Sequence, residues 1–208
     1  MTDASAESLT DLVGKFRGRI TELRRAGDPV ALLATAEAAA DEIERRAGDS
    51  CNDAGREALM AVKRFTYNAA ADCWPGWSVP DKPPEARILV RALELAKRSA
   101  VLVTKLGLGR LQEGTGTWLC GAFELALGRH AEAYSAFVLA REHWIAAKAP
   151  GLAMLAEGYL ALVCQIAGDQ VPARREDLDQ VCERIATGGF EDGAAWIEQL
   201  RTARMVFT

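Results

Sequence analysis

The residue types that carry chemistry are thinly spread along this chain. Its two histidines, His130 and His143, do not share a helical turn, and the nearest thiol, Cys120, has no second cysteine at metal-ligand spacing, so no zinc centre is expected. The glycines of Gly107-Leu-Gly-Arg-Leu-Gln-Glu-Gly-Thr-Gly116 follow a helical run, not a strand, and lack a Gly-Lys-Ser/Thr ending. They read as a flexible connection between helical hairpins, not as a phosphate loop. No serine stands in a nucleophile-elbow setting, and acids such as Glu42 and Glu44 are two apart and face different ways on a helix. Neither a catalytic residue nor a cofactor or metal site is expected.

The residue types suited to binding are easier to find. Arg64 and Asn68 are four apart in a helical run and share a face with the neighbouring Tyr67. Trp74-Pro-Gly-Trp77 places two large aromatics in a proline-stiffened segment, where exposure is costly unless they cover a core or meet a partner. Covering a core is the plainer reading. The functional one is that this segment folds over one end of a groove and adds an aromatic contact to a bound peptide.

Helical spacing of apolar residues recurs from one end of the chain to the other, and strand-like alternation is scarce, so the fold class is all-α. Helices are expected at about Ser8–Ala26, Val30–Ala47, Asp53–Asp72, Glu85–Leu106, Thr117–Leu127, His130–Lys148, Pro150–Ala167, Val171–Thr187 and Glu191–Phe207, about nine in all. Gly27-Asp28-Pro29 supplies in order a left-handed stop, an N-cap and a first helical position. The Gly-Asp pair returns at Gly48-Asp49 and Gly168-Asp169, as turns between antiparallel neighbours should. One long irregular connection runs from Cys73 to Pro84, and its four prolines forbid helix. Gly128 and Gly168 each end one apolar helix and precede another, which gives stacked hairpins offset by roughly 40 residues in a single domain over 1–208. The last stretch, 190–208, reads as a helix capping an otherwise exposed end of the stack.

Composition narrows the function further. Half of the residues are hydrophobic and 26% are charged, with 25 Lys+Arg against 29 Asp+Glu interspersed in sign. No basic field exists to attract a phosphate backbone, so nucleic acid is not expected as a partner. Arg24-Arg25, Arg45-Arg46 and Arg174-Arg175 read as cations near helix ends. The first residues show neither a basic region nor an apolar one, and no segment reaches the uninterrupted apolar length of a membrane span. A cytoplasmic location and no membrane are therefore expected. Five cysteines, at 51, 73, 120, 164 and 182, read as reduced core thiols.

The stretch from Trp118-Leu-Cys-Gly121 through Gly128, Ala133, Phe137 and Ala140 resembles a tetratricopeptide repeat. There a small residue of the first helix meets small and aromatic residues of the second. The following hairpin, with Ala161, Gly168 and Ala173, is a weaker copy, because Asp177 and Gln180 stand where an aromatic and a small residue are usual. The period also exceeds the family's, which is about 34 residues. The resemblance implies an α-solenoid that binds other proteins through a concave face lined by the first helix of each hairpin. That places Trp118, Ala122 and Leu125, then Leu155, Tyr159 and Leu162, near a groove. Arg64 and Asn68 then loosely resemble the basic-plus-Asn clamp that some members use for a peptide carboxylate.

Two functions follow as expectations. The first is a non-enzymatic interaction module that holds a peptide segment of another protein, with Trp118, Leu125, Tyr159 and Leu162 supplying apolar contact and Arg64 and Asn68 orientation. The second is an all-helical small-molecule sensor or enzyme with a pocket near Tyr67, Trp74 and Trp77. A homodimer through one solenoid face is a third reading.

Overall fold

Helix boundaries in this chain are set by residues that stop one helix and start the next, and the α1–α2 turn shows how. Gly27 adopts φ 65°, and its N–H donates to the Arg24 carbonyl. Asp28 then accepts a hydrogen bond from the Ala31 N–H at 2.9 Å, and Pro29 fills the first helical position. This is the left-handed stop, N-cap and proline start expected from the sequence.

The computed structural model describes residues 8–48, 52–79, 81–82, 84–172 and 176–208. Met1 to Glu7, Asp49, Cys51, Pro80, Pro83, Ala173, Arg174 and Arg175, all used in reading the sequence, lie outside them. Among the described residues there are nine α-helices and no strand: α1 Leu9–Ala26, α2 Pro29–Ala47, α3 Asp53–Ala71, α4 Ala86–Lys105, α5 Arg110–Ala126, α6 His130–Ala146, α7 Pro150–Ala167, α8 Leu178–Thr187 and α9 Gly193–Phe207. Short 3-10 turns occupy Pro75–Trp77 and Gly168–Gln170.

Each helix packs on the next in sequence, and α1 also meets α3, α2 meets α4, and α7 meets α9. Odd and even helices thus form two layers, the arrangement of an α-solenoid. One hydrophobic cluster runs through it from Leu12 of α1 to Ala203 of α9. The even layer is laced on its surface: Arg91 of α4 grips Glu37 of α2 through two nitrogens at 3.0 and 2.6 Å. Arg98 bridges to Asp41 and Glu44 in the same way. Pairs this exposed contribute a few tenths of a kcal/mol up to about 1 each, so burial carries the stability.

Three expectations need correction. Helix α5 begins at Arg110, not Thr117, so Gly114 and Gly116 are helical and not part of a flexible connection. A Cβ on Gly114 would clash at 2.6 Å with the Trp144 indole of α6, and one on Gly116 would press at 3.3 Å on the Ala100 Cβ of α4. Helix α8 begins at Leu178, not Val171. Asp177 and Gln180, which broke the repeat pattern, form its capping box, each side chain accepting the other's backbone N–H at 2.9 and 3.0 Å.

The third correction concerns α7. The stretch Pro150–Gln170 has a mean hydropathy of 1.4 and is long and apolar enough by composition to cross a membrane. Its packing against α6, α8 and α9 accounts for that character, since Leu155, Tyr159, Leu160, Leu162 and Val163 are all buried. Helix α9, the C-terminal helix of the stack, has wider contacts than with its sequence neighbour alone. It packs on α7 and α8 and reaches the Pro75–Trp77 turn from far earlier in the chain. Gly151 and Gly158 of α7 leave the room, because a Cβ on either would run into Trp196 or Leu200 of α9.

Candidate functional site

The groove expected along α5 and α7 is filled by the protein itself. Trp74, at the start of the Pro75–Trp77 turn, is 2% exposed and donates its indole N–H to the Ala122 carbonyl of α5 at 3.1 Å. Its ring stands 5.5 Å from Trp118, 5.9 Å from Tyr159 and 6.3 Å from Phe207, which ties the α3–α4 connection to α5, α7 and α9. Trp77 meets Trp74 edge-on at 4.9 Å and donates to the Ala71 carbonyl, while its outer half stays exposed. Phe137 of α6 stacks on Tyr159 at 4.9 Å. Gly121 permits this, since a Cβ there would sit 3.0 Å from the Phe137 ring.

Trp118, Leu125, Tyr159 and Leu162 are therefore buried, with Tyr159 and Leu162 fully so. Their expected position on an open groove is corrected: aromatic side chains at helical spacing found one another and not solvent. Burial raises the Tyr159 phenol above its ordinary range against the opposing Gln199 hydrogen bond. The Trp118 indole N–H is buried with no hydrogen-bond partner among the described residues. Trp74 and Trp77 meet each other edge-on, whereas Tyr67 lies under Lys63.

The open feature lies elsewhere, between α1 and α3. Three cavities join end to end there. The first, about 200 Å³, runs from Leu9 and Val13 of α1 against Ala58 and Ala61 of α3 to Arg17 and Arg64. The second, about 390 Å³, shares Arg17 and Arg64 and adds Thr21, Arg24 and Asn68. The third, about 640 Å³, shares Thr21 and Arg24 and extends to Asp28, Pro29, Asp72 and Cys73. Together they make a trough along the length of α1, apolar and small-sided at one end and basic in the middle.

Two of the residues singled out from sequence, Arg64 and Asn68, line this trough, and both are exposed. Tyr67 is turned away from them. It lies beneath Lys63, whose Nζ is 5.1 Å from the ring centre and donates to Gln112 of α5 at 2.9 Å. Burial pushes the Tyr67 hydroxyl up to about 12 and holds Lys63 below its ordinary range, with Arg64 adding to the latter. Arg24 donates to Asp72 at 2.8 Å, and that hydrogen bond raises its pKa.

Sequence reasoning missed Arg17, Arg24 and Gly14. The signal was present as a second stripe on α1. Thr10, Gly14, Arg17, Thr21 and Arg24 stand at i, i+4, i+7, i+11 and i+14, the spacing usually scanned only for apolar residues. Gly14 and Gly18 each leave open space where a Cβ would go. A glycine in a helix interior costs about 1 kcal/mol relative to alanine, and no contact among the described residues requires it here.

Away from the trough, His143 lies 3.3 Å from Glu113 and 3.2 Å from Arg110, a surface cluster joining α5 and α6. Cys73, Cys120, Cys164 and Cys182 are free thiols whose pKa values are raised by burial, to about 11 for Cys73 and about 12 for Cys120. Raised values make poor nucleophiles, consistent with packing. The fold and site define an all-α solenoid with a basic, solvent-open trough between its first and third helices. Comparison with protein-family models, with curated proteins and with solved structures finds no match to this chain.

Proposed function

We propose that this chain is a non-enzymatic interaction module of the tetratricopeptide-like kind, which holds a peptide segment of another protein in the trough between α1 and α3. The observation that carries the reading is the run of three connected cavities with Arg64 and Asn68 on its wall. An elongated, open trough suits a chain segment better than a compact ligand, which is normally enclosed over most of its surface. The close α5–α6 approach at Gly121 and Phe137, and the turn at Gly128, support the family likeness. The partner's contact area moves from the buried α5 and α7 aromatics to the α1–α3 walls.

The test is site-directed crosslinking in a lysate of the native organism. A photo-reactive residue placed at position 68 should form covalent adducts with another protein, and the same residue at position 139, on the exposed face of α6, should not. Equal adducts at both positions, or none at either, would remove the support for a binding trough.

A further inference from the structure

The trough has a sign. The chain as a whole carries a net charge of -4, yet the middle cavity is lined by Arg17, Arg24 and Arg64 and by no acidic side chain. Arg24 is engaged by Asp72. Arg17 and Arg64 face the same two cavities from opposite walls and form no ion pair or side-chain hydrogen bond among the described residues. Acids enter only toward the ends, Glu57 on one side and Asp28 and Asp72 on the other. Like charges facing one cavity repel, and an anion placed between them replaces that repulsion with charge-assisted hydrogen bonds.

The wall beside these cations is low. Gly14 precedes Arg17 by one turn and lines the first cavity, and Gly18 follows Arg17 as an exposed helical residue. A Cβ at either would meet nothing within 4 Å among the described residues, so neither glycine is required by packing against them. Their effect is to let a ligand's backbone come down onto α1 beside Arg17.

Resting on the interaction reading above, we infer that the trough takes an acidic peptide segment, with its backbone crossing α1 at Gly14 and a carboxylate seated on Arg17 and Arg64. The choice of an acidic occupant follows from Arg17 and Arg64, which face the middle cavity with no carboxylate among the described residues paired to either, Arg24 being neutralised by Asp72.

The experiment is selection of random peptides about a dozen residues long on the intact protein, followed by binding of the best one, made synthetically, to wild type and variants. Enriched peptides are expected to carry Asp or Glu. The synthetic peptide should lose at least tenfold in affinity for Arg17→Glu/Arg64→Glu, keep most of it for Arg17→Lys/Arg64→Lys, and bind more weakly as salt is raised. Both arginines are exposed, so circular dichroism should show the charge-reversed protein folded. Enriched peptides without acids, or acidic ones that bind the charge-reversed protein equally well, would overturn the acidic assignment and leave the interaction module standing. Failure to enrich any peptide, together with no adduct at position 68, would overturn both. Self-association by light scattering that the charge reversal abolishes would give the trough to a second copy of the chain, and overturn the inference as well.

Discussion

Trp74 donates its indole N–H to the carbonyl of Ala122, 48 residues further along the chain. One side chain from the α3–α4 connection is thereby fixed to α5 and packed among rings from α5, α7 and α9. The connection is part of the core, and the odd-helix layer it fills is closed at that end. The α1–α3 trough, by contrast, stays open.

Trp74→Ala should lower stability by about 3 to 5 kcal/mol, since it removes a fully packed ring and its hydrogen bond. Trp74→Phe keeps part of the ring contact and should cost less. A urea titration measures both, and a loss under about 1 kcal/mol for the alanine variant would mean that the segment is peripheral.

Two helix-interior glycines should respond to alanine with opposite signs. At Gly14 the space is open, so Gly14→Ala gains helix propensity, up to about 1 kcal/mol. At Gly114 the new Cβ would press on the rigid Trp144 ring, and Gly114→Ala should lose about 1 to 3 kcal/mol. Chemical denaturation of the two proteins side by side decides it, and a shared sign would refute the packing described for one of them.

That contrast also marks how far the sequence could be read. Helix stops such as Gly27-Asp28-Pro29 act locally, through backbone angle and capping, so they are legible without knowing what packs on them. The pairing of Gly121 with Phe137 was legible for a related reason: both sit on faces defined by helical spacing within one hairpin. Gly114 and Gly116 were not, because a glycine that admits a neighbouring indole and a glycine that loosens a loop look the same until the neighbour is known. Trp118 and Tyr159 were assigned to a groove for a similar reason. Helical spacing gives the face a residue stands on, but not that Trp74, from a distant connection, will cover that face. The cations of the trough escaped because Arg17 and Arg64 lie on different helices, joined only by packing.

Stability should fall in alkali. Burial lifts Cys73 to about 11 and Cys120 to about 12, while unfolded thiols ionise near pH ~8.5. Above that pH the unfolded chain has released protons that the folded chain retains, so stability decreases as pH rises and is unaffected by these groups below it. Urea midpoints at about pH 7.5 and about pH 10.5 should therefore differ, and a Cys73→Ala/Cys120→Ala protein should show a smaller difference. An undiminished difference would place the titration on other groups.

Helix α9 should behave as core, although it ends the described chain. Leu200 is fully buried and sits over Gly158, where α7 has no side chain to keep it out, whereas Met205 on the same helix is 64% exposed. Leu200→Ala should therefore cost about 2 to 5 kcal/mol, and Met205→Ala should stay within about 0.5 kcal/mol. The contrast separates two roles for the helix. A detachable cap would unfold by itself when Leu200 is truncated, leaving the remaining helices to melt at the wild-type midpoint in a second transition. A helix locked to α7 and to the Pro75–Trp77 turn must instead take α7 and the Trp74 cluster with it, so far-UV ellipticity and tryptophan fluorescence should shift together in one transition at a lower urea concentration.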